Sequence, residues 1–85
     1  MQLKVLYFAR LRERLGVAEE TIELPDGMGM VAMLLDVLRA RGGIWAEELA
    51  AGKNFRVAVN QDMASMEVPI EDGDEVAIFP PVTGG

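Results

Sequence analysis

The sequence predicts a two-layer α+β domain in which one main helix covers one face of a mixed β-sheet. Three observations carry that reading. The chain has 85 residues, room for a single domain, and 51% of them are hydrophobic, enough to fill one modest core. Several strand-length runs rich in β-branched and aromatic residues punctuate it. Only one stretch has a long helical stripe of apolar side chains.

The first run, Leu3 to Phe8, reads as a strand with Leu3, Val5 and Tyr7 on one face. Arg10 to Gly16 follows, with Leu11 and Leu15 four apart and a glycine at the stop, so one or two helical turns are expected. Thr21 to Leu24 is a second strand, ended by the turn residues Pro25-Asp26-Gly27 and expected to pair antiparallel with the first. From Met30 to Arg41 the apolar residues Met30, Met33, Leu34, Val37 and Leu38 fall at i, i+3, i+4, i+7 and i+8. That spacing is the buried stripe of the main helix. Gly29 is the expected N-cap and Gly42-Gly43 the stop. Ile44 to Ala51, carrying Trp45 and Leu49, is a short connecting helix; Trp45 and the methionine stripe read as core. Phe55, Val57 and Val59 share a face of a third strand, Met63 to Pro69 is a short edge segment, and Glu75 to Phe79 is the last strand. This order of elements resembles the ubiquitin-like β-grasp, here over residues 1–79, followed by a flexible, extended tail over residues 80–85.

Eight Lys and Arg against fourteen Asp and Glu leave a net charge of −6, which disfavours nucleic acid as a ligand. The chain has neither His nor Cys. That removes His-base and Cys-nucleophile chemistry and Cys/His zinc sites. No signal-peptide pattern and no membrane-length apolar run is visible, so a cytoplasmic protein is expected. The acidic cluster Glu71, Asp72, Asp74 and Glu75 lacks the spacing of a calcium loop and reads as a solvated turn. No metal or bound cofactor is expected.

The chain ends Pro80-Pro81-Val82-Thr83-Gly84-Gly85. Two prolines hold the base of this tail extended, two glycines strip its tip of side chains, and six residues reach about 20 Å. Such a tail can thread a narrow active site. Together with Phe8-Ala9-Arg10-Leu11-Arg12-Glu13, Val59-Asn60-Gln61 and the run Asp72 to Gly85, the ending resembles the molybdopterin synthase small-subunit (MoaD) family over essentially the whole chain. Sulfur carriers of the thiazole pathway resemble it in fold and share only the final glycines. Gly29 departs from the threonine cap usual in similar sequences, and the methionines at 28, 30 and 33 are atypical.

The resemblance implies a sulfur carrier that is not an enzyme alone. The ionised Gly85 carboxylate is a poor acyl donor, so a partner enzyme is implied to adenylate it with ATP. A sulfur donor protein then displaces AMP to leave a thiocarboxylate. The large subunit, in an implied heterotetramer, would use that sulfur to convert cyclic pyranopterin monophosphate into the dithiolene of molybdopterin. Gly85 is thus the reacting residue, and Gly84 allows the enzyme backbone close approach. The alternative functions are a ubiquitin-like protein modifier or a carrier for another pathway such as thiamine.

Strand parity also suggests a docking face. With Leu3, Val5 and Tyr7 inward, Leu6 and Phe8 point outward, as does Phe79 opposite to Val76 and Ile78. Leu6, Phe8, Phe79 and Met63 are expected to form one apolar patch for the partner, which the tail residues Pro80, Pro81, Val82 and Thr83 extend. The competing possibility is that the short helices cover these aromatics. Arg10, Arg12 and Arg14 are expected to pair with carboxylates of this chain or of a partner.

Overall fold

The structure, a computed structural model, describes residues 1–27 and 29–80. Its elements are β1 (Gln2–Tyr7), α1 (Ala9–Leu15), β2 (Glu19–Glu23), α2 (Val31–Arg39), α3 (Ile44–Glu48), β3 (Arg56–Val59), β4 (Asp62–Ala64) and β5 (Glu75–Phe79). They form one five-stranded sheet in the order β2-β1-β5-β3-β4. The central pair β1 and β5 is parallel and the remaining pairs are antiparallel. This is the expected ubiquitin-like β-grasp. The expectations for Pro81, Val82, Thr83, Gly84 and Gly85 lie outside the described residues, as does Met28.

Period-two alternation decides the inner face. Leu3, Val5 and Tyr7 of β1, Val57 of β3 and Val76 and Ile78 of β5 are buried against Val31, Leu34, Leu35 and Leu38 of α2. The buried stripe of α2 is therefore displaced by one residue from the expected one. Leu34 and Leu38 are common to both, but Met30, Met33 and Val37 sit half-buried at its edges. The sequence allows both registers because residues 30 to 38 are apolar almost throughout. Packing chose the one that buries Val31 and Leu35 and leaves the longer, more adaptable methionines at the rim.

The start of α2 is a second correction. Its N-cap is Met30 rather than Gly29, and no side chain caps it. The segment after β4 does that work. The first helical amides, Val31 and Ala32, donate to the carbonyls of Val68 (3.1 Å) and Met66 (2.9 Å), and the Ile70 amide donates to Gly29 O (2.9 Å). Orphan donors at a helix start need acceptors, and here a loop supplies them. The same use shortens the expected edge segment. Only Asp62–Ala64 pairs with β3, while Pro69 forms an isolated bridge with Met30.

Two glycines have structural reasons. Gly16 ends α1 at φ +76°, with its amide donating to Arg12 O (3.0 Å). Gly73, at φ +89°, forms the turn that starts β5 and donates to Gln2 O (2.7 Å). The flanking carboxylates hold the same turn, since Asp72 accepts from the Gln2 amide (2.6 Å) and Asp74 from the Glu71 amide (2.8 Å). The Asn60 side chain donates to Asp74 (2.9 Å) and accepts from the Glu75 amide (3.0 Å). The motifs Val59-Asn60-Gln61 and Asp72-Gly73-Asp74 therefore set the register of β5 against β1 and β3.

A polar network locks the opposite side. The buried Tyr7 hydroxyl donates to Glu20 Oε2 (2.7 Å), and Arg41 grips both oxygens of the same carboxylate (2.9 and 2.8 Å). Arg41 also lies over the Trp45 ring at 4.4 Å, and Trp45 meets Tyr7 edge-on with ring centroids 5.4 Å apart. Trp45 is thus a half-buried margin of the core. The Arg41 hydrogen bonds hold the Glu20 carboxyl below its usual pKa, against the opposing effect of burial. Burial, and then the Glu20 hydrogen bond, push the Tyr7 phenol above its usual value. A lowered carboxyl pKa stabilises the fold above the unfolded value near 4, and that contribution is lost as pH falls through the folded value. A raised phenol pKa stabilises it below about 10, and that contribution is lost at higher pH. Glu20→Gln is expected to cost about 1–2 kcal/mol at neutral pH, with the gap to the unsubstituted chain narrowing at pH 3. Denaturant unfolding at the two pH values checks this.

Candidate partner-docking site

Because β1 and β5 run parallel, their C-terminal ends emerge at one edge of the sheet. Phe8 follows β1 there and Phe79 closes β5. Their rings stack almost parallel, with centroids 4.8 Å apart and an interplanar angle of 9°. Phe8 is 37% exposed, so the short helices do not cover it, and Phe79 is half-buried. The Phe8 amide donates to Ile78 O (3.2 Å). Ala9 then takes a left-handed φ of +51°, turning the chain into α1 and leaving the Phe8 ring outside.

The strand register extends this patch across the outer face. Leu6 lies opposite Ala77, Ala77 opposite Ala58, and Ala58 opposite Met63. Directly paired residues share a face, so these four form one apolar row across β1, β5, β3 and β4. Met63 is 61% exposed and Leu6 half-buried. The structure therefore brings Leu6, Phe8, Met63 and Phe79 onto one face, as parity suggests. Ala58 and Ala77 complete it as a low floor between bulkier neighbours. Sequence reading missed them, although their outward parity was a signal. Toward the other end of the same face stand Gln2, Lys4 and Glu75. Exposed Glu19, opposite Leu6, and exposed Arg56, opposite Phe79, flank the apolar row on the same face.

Half-buried Pro80 leads away from this edge. A small open cleft beside it is lined by Arg10, Leu11, Glu48, Lys53 and Pro80. Glu48, only 8% exposed, is answered by Arg14 at 3.4 Å, and Arg14 also approaches Glu47 at 3.7 Å. The expectation of carboxylate partners thus holds for Arg14. Arg10 and Arg12 have none within 4.0 Å among the described residues. The acidic turn spends Asp72 and Asp74 oxygens on backbone amides, and no group of three acids is placed to hold a metal among the described residues. No helix among those residues is long and apolar enough to cross a membrane. The aromatic stack and the apolar row beside it form a surface suited to recognition.

The ThiS family model matches residues 5–85. The chain belongs to the ThiS family. One relative, the molybdopterin synthase sulfur carrier subunit of Haemophilus influenzae, is 42% identical over 98% of this chain and 99% of its own length. Among solved structures, one described as subunit 1 of a molybdopterin converting factor, from Pyrococcus furiosus, is 38% identical. It superposes with a TM-score of 0.81 over 96% of this chain and 99% of that one. SAMP1 from Haloferax volcanii gives a TM-score of 0.84 at 27% identity, with both chains fully covered.

Proposed function

We propose that this ThiS-family chain is the sulfur carrier subunit of a molybdopterin synthase, working in the cytoplasm. One observation carries the reading: the parallel β1–β5 pair sets an exposed aromatic stack beside the point from which the Gly-Gly ending departs. The full-length likeness to a curated sulfur carrier supports it.

In this reading the chain holds no cofactor and does not turn over alone. An ATP-dependent enzyme joins the Gly85 carboxylate to AMP with release of pyrophosphate. The terminal sulfur of a donor protein's persulfide attacks the activated carbonyl and expels AMP, and a thiol then cleaves the resulting acyl disulfide, leaving the thiocarboxylate on Gly85 and a disulfide on the donor. The apolar face around Phe8 and Phe79 then docks on the large subunit, within a heterotetramer, and the tail delivers sulfur to cyclic pyranopterin monophosphate. Burying exposed aromatics in a partner is a common source of interface energy.

The test is reconstitution of the thiocarboxylated chain with a large subunit and cyclic pyranopterin monophosphate. Formation of molybdopterin is expected, and its absence under conditions where an authentic carrier works would refute the reading. A second reading, a protein modifier joined through Gly85 to lysines, is favoured by the likeness to SAMP1, whose name in full is small archaeal modifier protein 1. Intact-mass analysis of the protein from cells separates them, because a thiocarboxylate exchanges one oxygen for sulfur whereas conjugation leaves branched peptides.

A further inference from the structure

The cations of this acidic chain are unevenly satisfied. Lys4, Arg14, Arg39 and Arg41 each have a carboxylate within 4.0 Å. Arg10, Arg12, Lys53 and Arg56 have none among the described residues, and all four are exposed. Arg10 and Lys53 line one cleft with Pro80, and Arg56 pairs across the sheet with Phe79. The carboxylate in the cleft, Glu48, is already matched by Arg14. The acids Glu23, Asp26, Asp72 and Asp74 cluster instead around the first residues of β1 and β5. Arg10, Lys53 and Arg56 therefore place unmatched positive charge where the chain leaves the domain.

We propose that Arg10 and Lys53 steer the chain, tail end first, onto a carboxylate-bearing surface of the adenylating enzyme. The inference rests on the carrier reading above. A carrier has to leave the activating enzyme once loaded, so that encounter must be fast and brief. Complementary surface charge raises the association rate and fixes orientation without lengthening the life of the complex, and it acts over about 10 Å at moderate salt. In a chain of net charge −6, an acidic partner repels every approach except the one that presents this end.

Stopped-flow association of the full chain with the adenylating enzyme and ATP tests this across about 0.05 to 0.5 M salt. The variants are Arg10→Gln and Lys53→Gln, singly and together. Gln2→Glu makes the same change of one charge at the opposite end. The double variant is expected to associate about ten-fold more slowly at low salt, with a flattened salt dependence and little change in dissociation. Its association with the large subunit is expected to stay within about two-fold, and circular dichroism to be unchanged, since neither side chain makes an ion pair among the described residues. Unaltered association, an equal effect of Gln2→Glu, or equal slowing toward the large subunit overturns the proposal. If the unsubstituted chain is not adenylated at all, the carrier reading itself fails, a result that its own arm of the experiment identifies.

Discussion

Removing Gly85, or appending one residue after it, is expected to abolish sulfur transfer while leaving thermal stability almost untouched. The interactions that hold the described residues together all precede that position: the buried core runs from Leu3 to Ile78, the polar network joins Tyr7, Glu20 and Arg41, and the turn spans Asp72 to Asp74. The proposed carrier chemistry takes place at that position. Deletion moves the terminal carboxyl back by one residue, about 3.5 Å along an extended chain. Misplacing a reacting group by even about 1 Å can cost roughly a hundred-fold in rate, so a shift several times larger should leave no measurable transfer. Extension is worse, because it buries the former carboxyl in a peptide bond. Parallel melting curves and molybdopterin assays measure both effects. A truncated chain that still supports product formation would remove Gly85 from the reaction.

The strands and the outer face were legible in the sequence because alternation has a period of two and leaves no intermediate choice. Leu3, Val5 and Tyr7 inward forces Leu6 and Phe8 outward. The helical stripe was less determinate. A helix that is apolar at residues 30, 31, 33, 34, 35, 37 and 38 can present either of two neighbouring stripes, and only the sheet beneath it selects one. What stayed hidden depended on contacts distant in sequence. No local pattern announces that Val68 and Met66 carbonyls will cap α2, so the expectation of Gly29 as cap followed residue preference and failed. Likewise Glu20 and Arg41 are 21 positions apart, and nothing in either neighbourhood marks them as partners. The acidic turn and Asn60 were visible as motif residues, but their task of setting strand register emerges only from their hydrogen bonds.

Replacing Phe79 or Phe8 by aspartate is expected to weaken binding to the large subunit by about 2–4 kcal/mol, which is roughly 30- to 1,000-fold in Kd. The magnitude follows from position. The two rings stack at 4.8 Å at the ends of β1 and β5, with Leu6, Ala77, Ala58 and Met63 extending the apolar surface beside them. A carboxylate introduced at Phe8 must be desolvated on docking, whereas one at Phe79 lies opposite exposed Arg56 and belongs at the lower end of that range. The fold should lose far less. Phe8 is already 37% exposed, and the stacked pair is worth about 0.5–1.5 kcal/mol, so a melting temperature lower by about 4–8 °C is the expected cost in a domain of this size. Phe8→Ala separates the two contributions, since it removes the ring without adding charge and should retain part of the binding. Calorimetric titration against the large subunit, run beside thermal melts, distinguishes a docking surface from a core. Variants that unfold outright would place both aromatics in the core, and variants that bind normally would move the subunit contact to another face.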